Sequence, residues 1–249
     1  MHDELLYEQA AVHTIRLSLE NGSADVTAVP DAEDVRILID TDAEDAASLL
    51  YADVKDGTLT IRQRTPLQQL LKARKRPSLH VTIETPATWK GALHAATVSG
   101  HLHAEGLSGT DIVLRAAAGT LEAHRISGIC ISLQSVRGSV AADDIECEKL
   151  RLSSIASGMQ VQRCSTDRCR VLSLAGSVHL AADRHIEHIG CKSLTGCLTV
   201  ETPLEAFDAS LHGIRGKLRT QGVDLADGQP VIRMTTLSGR LTIIRSEGE

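Results

Sequence analysis

A repeat of 19 or 20 residues constrains this chain more than any other feature of its sequence. The segments "TVSGHLHA", "RAAAGTLEA", "QSVRGSVAA", "SSIASGMQV", "SLAGSVHLA", "SLTGCLTVE", "GIRGKLRT" and "TLSGRLTI" share one design. Small residues lead into a glycine, and apolar residues follow at alternate positions. The markers are Gly100, Gly119, Gly138, Ser157, Gly176, Gly196, Gly216 and Gly239, at spacings of 19, 19, 19, 19, 20, 20 and 23.

With each marker as position zero, four apolar columns emerge. Position +2 holds Leu102, Leu121, Val140, Met159, Val178, Leu198, Leu218 and Leu241, and position +4 runs from Ala104 to Ile243. Position −5 runs from Ala95 through Leu114, Leu133 and Leu152 to Met234, and position −7 from Leu93 to Ile232. Each repeat therefore carries two segments of period two, the pattern of strands with one buried face. One repeat cannot bury that face alone, so neighbours must stack like on like. At about 4.8 Å per stacked strand, eight markers predict a rod of roughly 38 Å. The unit is too short for a helix plus a strand. The expectation is an all-β chain, a β-solenoid with about 19–20 residues per coil. Glycine at the marker supplies φ > 0 at the corner between the strands, and the small residues at −3 (Thr97, Ser135, Ser154, Ser173) allow close stacking or hydroxyl bonding there.

Three regions follow: an arm over 1–13, an N-terminal β region over 14–92, and regular repeats over 93–249. In the arm, Leu5, Leu6 and Ala10 suggest a turn or two of helix. Ile15, Leu17 and Leu19 alternate before Asn21-Gly22, a hairpin or turn signal, and Val35, Ile37 and Ile39 form a further strand. Leu49 to Val54 and Leu59 to Ile61 flank the turn Asp56-Gly57. Leu59 and Ile61 stand at +2 and +4 from Gly57, as in a degenerate coil. Residues 65–77, "TPLQQLLKARKRP", interrupt the strands as a short helix or hairpin tip. Trp89 reads as a plug for the end of the stack.

These columns resemble the bacterial putative adhesin family, a domain of unknown function with β-strand repeats. The resemblance rests on Ser99-Gly100, Ala118-Gly119, Arg137-Gly138, Ser157-Gly158, Ala175-Gly176, Thr195-Gly196 and Ser238-Gly239, each followed by alternating apolar residues, and on "IRLSLENGSADVTAV" near the start. It covers about residues 14–245. It implies a single-stranded right-handed β-helix with an N-terminal β-hairpin region as cap, and a place at the cell surface. It implies no catalytic motif. The sequence itself begins with no export signal and has no apolar run of about 20 residues, which predicts a cytoplasmic protein.

Composition narrows the function. Aromatic residues are 2% of the chain, too few for the stacking platforms of sugar grooves or single-stranded nucleic acid. A net charge of −6 argues against a nucleic-acid binder. The six cysteines show no zinc-finger spacing. Cys164, Cys169 and Cys191 stand in apolar columns and read as core; Cys130 and Cys197 read as outward.

Two groups could carry chemistry. His101, His103, Glu122 and His124 form a cluster in which His101 and His103 at +1 and +3 share an outward face and Glu122 lies one repeat away, a donor set suited to zinc. Lys72, Arg74, Lys75 and Arg76 form a basic run, read either as solvated charge or as a contact for an anionic surface. The acids Asp143, Asp144, Glu146 and Glu148 do not share one strand face and read as solvated charge. The sequence thus predicts a non-enzymatic binding or scaffolding protein without a cofactor. Its partner would be a protein or the cell envelope, with self-association through ends or edges and peripheral membrane contact also open. The alternative is a polysaccharide lyase or hydrolase, or a membrane-peripheral protein using the basic run.

Overall fold

The computed structural model describes residues 2–42, 49–64, 79–227 and 230–246. The basic run at 72–76 and the 65–77 insertion lie outside the described residues. What is described is all-β: seventeen strands and a single 3-10 turn at Gln9–Ala11. The core of the repeats begins in β8 (Ala92–Glu105), passes through β9 (Ser108–Ser154), β10 (Gly158–Ser173) and β11 (Ser177–Ser193), and reaches β12 (Cys197–Thr202). Successive repeats pair parallel and in register: Leu93 with Ile112, Leu102 with Leu121, Met159 with Val178, Val178 with Leu198. The residues of the four apolar columns form one continuous buried cluster, with Leu93, Leu114, Leu121, Leu180 and Leu198 wholly enclosed. Like residues at like positions let each repeat close its neighbour's apolar face.

The order of repeats in space departs from their order in sequence at one place. β16 (Val231–Thr236) and β17 (Arg240–Arg245) pair with β11 and β12 on one side, Ile189 to Ile232 and Leu198 to Leu241. On the other side they pair with β13 (Ala206–Gly213) and β14 (Lys217–Gln221), Leu211 to Met234 and Leu218 to Leu241. The Gly239 repeat is thus inserted between the Gly196 and Gly216 repeats. Burial agrees: Ile232, Met234, Leu241 and Ile243 have no exposed surface, whereas Leu211 and Leu218 are only partly covered. The two-residue strand β15 (Asp224–Leu225) pairs with the start of β13.

The N-terminal region corrects three expectations. First, β2 (Thr14–Asn21) and β3 (Ser23–Val29) do not form a hairpin with each other. They pair parallel to β8, Ile15 with Leu93 and Ala24 with Leu102, so Gly22 is a corner like Gly100. Second, Leu59 and Ile61 of β6 (Thr58–Gln63) pair with Ile15 and Leu17 and so extend the −7 and −5 columns instead of +2 and +4. Third, where a turn or two of helix was expected, the arm is strand β1 (His2–Tyr7), antiparallel to β4 (Val35–Thr41), followed by only the 3-10 turn Gln9–Ala11. Edge pairing with β4 outweighs the weak apolar spacing of Leu5, Leu6 and Ala10. β4 is antiparallel to β7 (Leu79–Pro86), and β5 (Leu50–Lys55) to β6 around the expected Asp56-Gly57 turn. These antiparallel strands cover the N-terminal side. Trp89 is buried in the link between β7 and β8, its indole N–H donating to the Val12 carbonyl at 2.7 Å.

A second corner was not visible in the sequence. Six residues after the markers stand Gly106, Arg125, Asp144, Arg163 and Gly222, all with φ between 45° and 68°. The next position, Leu107, Ile126, Ile145 and Cys164, is buried and forms a further apolar column. Three of these corners carry a side chain, so no glycine pattern announced them.

Candidate functional site: a histidine cluster and a cationic face

Positions +1 and +3 alternate with the buried +2 and +4 residues and therefore point outward. On β8 this places His101 and His103 side by side, their rings nearly parallel (7°) with centroids 6.3 Å apart. The in-register neighbour of His103 is Glu122 on β9, and that of His101 is Thr120. The sequence-predicted trio is therefore brought together. Glu122 Oε2 lies 3.7 Å from His101 Nε2 and 3.8 Å from His103 Nδ1. One donor atom from each residue falls within 4.8 Å of the others.

Each imidazole is also held by its other nitrogen. His103 Nε2 faces Glu105 Oε2 at 3.4 Å, and His101 Nδ1 is hydrogen-bonded to the Thr120 hydroxyl. Glu105 is fixed in turn by Arg125 at 2.5 Å. The hydrogen bond from His103, followed by the Arg125 charge, holds the Glu105 carboxyl below its ordinary range despite some opposing desolvation. On the far side of His103 the register neighbour is Asp25, which is occupied by His80 at 3.2 Å.

The remaining candidates separate as follows. Cys147, Cys164, Cys169 and Cys191 are buried, while Cys130 and Cys197 are half-buried. Burial pushes the Cys147 thiol up to about 11 and Cys191 to about 12, and raises Cys164 and Cys169 as well. These are packing residues. Asp143 is paired with Arg163, and Asp144 turns the second corner. Glu146 and Glu148 line a shallow recess of about 440 Å³ with Asp167 and His185, the last two paired at 2.7 Å.

The other outward face was missed. On the strands before each corner, the columns at −4 and −6 contain Arg16, Arg62, Arg115, Arg151, Arg170, Lys192 and Arg233, and no carboxylate. All seven are exposed, and none takes part in an ion pair among the described residues. Beside them, position −2 carries an aliphatic ridge: Val98, Val136, Ile155, Leu174, Leu194, Leu237 and Ile214, between 42% and 79% exposed. Seven of the thirteen large exposed hydrophobics among the described residues fall in this one column, which scattered surface residues would not do. Neighbouring strands at about 4.8 Å make the ridge roughly 34 Å long. Two recesses open side by side on this face. One of about 450 Å³ is lined by Arg16, Arg62, Arg115 and His94. The other, about 370 Å³, is lined by Val98, Ala117, Val136 and Ile155. The signal was available in the sequence, in the same columns read for their outward members.

Comparison with solved structures gives the same fold at low identity. A "putative adhesin" from Parabacteroides merdae ATCC 43184 aligns with a TM-score of 0.68 and 12% identity, over 99% of this chain and 96% of that one. A "putative lipid binding protein" from Parabacteroides distasonis ATCC 8503 aligns with a TM-score of 0.65 and 17% identity, over 99% and 96%. A second "putative adhesin", also from P. distasonis ATCC 8503, gives 0.60 and 13%, over 99% and 97%. No curated protein matches the chain. No helix among the described residues is long and apolar enough to cross a membrane. Residues 14–243 match the Toastrack DUF4097 family, and the chain belongs to it.

Proposed function

We propose that this chain is a right-handed β-solenoid of 19–20 residues per coil that works as a non-enzymatic binding module, laying its cationic side against an anionic lipid surface. The observation that carries the reading is the pairing of unpartnered cations with a parallel aliphatic ridge on one face of a chain whose net charge is −6. Cations alone would suit any polyanion. The ridge beside them suits a bilayer, where aliphatic side chains enter the acyl boundary while arginines hold headgroup phosphates. Each cation near an anionic leaflet contributes about 1 kcal/mol. The relatives described as adhesins and as a lipid-binding protein are named for binding, not for catalysis. The run Lys72, Arg74, Lys75 and Arg76, outside the described residues, adds further positive charge for the same kind of surface.

Vesicle co-sedimentation tests the reading. The full chain is expected to sediment with phosphatidylcholine vesicles containing about 30% phosphatidylglycerol and to stay in solution with phosphatidylcholine alone. Arg115→Glu/Arg151→Glu/Arg170→Glu should weaken binding more than tenfold, whereas Lys217→Glu/Arg219→Glu on another face should not. Equal binding to neutral vesicles, or an unaffected triple variant, would overturn it. Product from a polysaccharide depolymerisation screen would favour the lyase or hydrolase alternative instead.

A further inference from the structure

We infer that His101, His103 and Glu122 form a binding site for a first-row transition-metal dication, with Zn²⁺ as the fitting representative. The inference is independent of the lipid-facing side and rests on how the ring nitrogens are used. His103 Nε2 faces the ionised Glu105 at 3.4 Å, and a hydrogen bond there needs the proton on Nε2. In the neutral ring this leaves Nδ1 with a bare lone pair, and Nδ1 is the nitrogen that faces Glu122 at 3.8 Å. His101 repeats the arrangement in mirror order. Its Nδ1 is engaged by the Thr120 hydroxyl, and its Nε2 faces the same Glu122 oxygen at 3.7 Å. When the Thr120 hydroxyl accepts from Nδ1, both rings turn a lone pair toward Glu122, and two imidazole nitrogens and a carboxylate oxygen converge on one point. Because a hydroxyl can take either role, His101 adopts the tautomer that a cation at that point requires without breaking its bond to Thr120.

The surroundings match what metal-bound histidines need. A ligating imidazole is held in one tautomer by an oxygen acceptor on its other nitrogen, and Glu105 and Thr120 occupy those places. Arg125 then anchors Glu105 at 2.5 Å. Two nitrogens and one carboxylate oxygen suit zinc and its first-row neighbours, while calcium and magnesium take oxygen ligands. The donors lie within 4.8 Å of one another, so small side-chain rotations bring them to the roughly 2.0–2.2 Å metal distances zinc requires. The backbone need not move, because the in-register pairing of His103 with Glu122 already sets the spacing. Three protein donors on a half-exposed surface leave a coordination position for water or for a group on a bound partner.

Isothermal titration of the full chain with Zn²⁺ at neutral pH decides the matter. One equivalent is expected to bind, His101→Ala/His103→Ala to abolish that event, and Glu122→Gln to weaken it at least tenfold. Glu105→Gln, which touches no metal, should weaken it less than Glu122→Gln does. His185→Ala, in an exposed pair elsewhere, should bind as the parent does. Absence of heat from the parent chain, or equal binding by the double variant, would overturn the inference and assign the cluster to imidazolium–carboxylate pairing.

Discussion

The corners before and after Ser154 solve the same problem differently. At Gly22, Gly100, Gly119 and Gly138 the backbone turns with φ between 136° and 155°, and β8 and β9 run through the bend without interruption. A Cβ at Gly119 or Gly138 would stand 1.9 Å from the carbonyl oxygen of the preceding marker. Glycine is required there twice, by conformation and by the neighbouring backbone. From Ser157 onward the described markers have no positive φ, and the strands break at each corner. At the first three of these corners a hydroxyl three residues earlier takes over: Ser154, Ser173 and Ser193 accept the amide N–H of Ser157, Gly176 and Gly196 at 3.0, 3.1 and 2.7 Å. Ser154 and Ser173 also donate to the marker carbonyl, at 2.8 and 2.9 Å. The earlier corners turn by conformational freedom, and the three that follow by a side-chain latch. The difference shows that a single sequence column can be kept by two separate physical causes.

Four measurements would sharpen or break that contrast. The largest effect is expected from Gly138→Val, where strain at positive φ adds to a backbone clash. A loss of more than about 4 kcal/mol, against less than about 0.5 for exposed Arg137→Ala, should appear in thermal melts. Similar melting temperatures for the two would end the conformational account.

Alkali should act mainly on the latched repeats, because three of the four buried thiols, Cys164, Cys169 and Cys191, lie there. Burial raises their folded pKa values above the ordinary value of 9.0, so the neutral thiol is the form that folding favours. Stability is then full below about pH 9 and falls as pH rises toward 11, by more than about 2 kcal/mol. Cys169→Val/Cys191→Val should flatten the pH dependence of the melting temperature; an unchanged slope would locate the effect elsewhere.

Ser173→Ala deprives the Gly176 amide of its partner. A cost of about 1–3 kcal/mol is expected, read as a fall in denaturant midpoint without change in m. The smallest effect belongs to Gly158→Ala, where a Cβ meets nothing within 4 Å; a change above about 0.5 kcal/mol would mean that the marker in that repeat is Gly158 and not Ser157.

Much of the architecture was legible because a period-two pattern repeated in register leaves few alternatives. The four columns place Leu93, Leu114, Leu121 and Leu180 in the core as expected. What stayed hidden has identifiable causes. The exchange of the last two repeats is not readable from the columns, since Leu211 and Met234, or Leu218 and Leu241, satisfy the same ones; the step of 23 residues from Gly216 to Gly239 marks the place without giving the order. The order itself has a compositional trace: Ala209 and Thr220 are weaker core residues than Ile232 and Ile243, as suits an end position. The Asn21-Gly22 dipeptide signalled a hairpin correctly by local rules, and pairing with β8 overrode it. The second corner escaped because Arg125, Asp144 and Arg163 adopt left-handed conformations that residue type does not announce. At the histidine cluster, the trio was legible from alternation plus the repeat length. Glu105 and Thr120, which give the cluster its direction, emerged only with the side-chain hydrogen bonds.

The insertion of β16 and β17 has a consequence for how the molecule is made. Ile189 pairs across 43 residues with Ile232, whereas ordinary neighbours such as Leu93 and Ile112 meet across 19. As the chain emerges from the ribosome, β13 and β14 are synthesised first but cannot take the seat beside β11 and β12 permanently, because a later strand pair owns it. Either they wait, or they dock early and must be displaced. The rest of the stack can assemble by zipping from one repeat to the next, while this end closes only when the keystone arrives. Premature release of the nascent chain before residue 245 would leave a sheet edge open to another molecule.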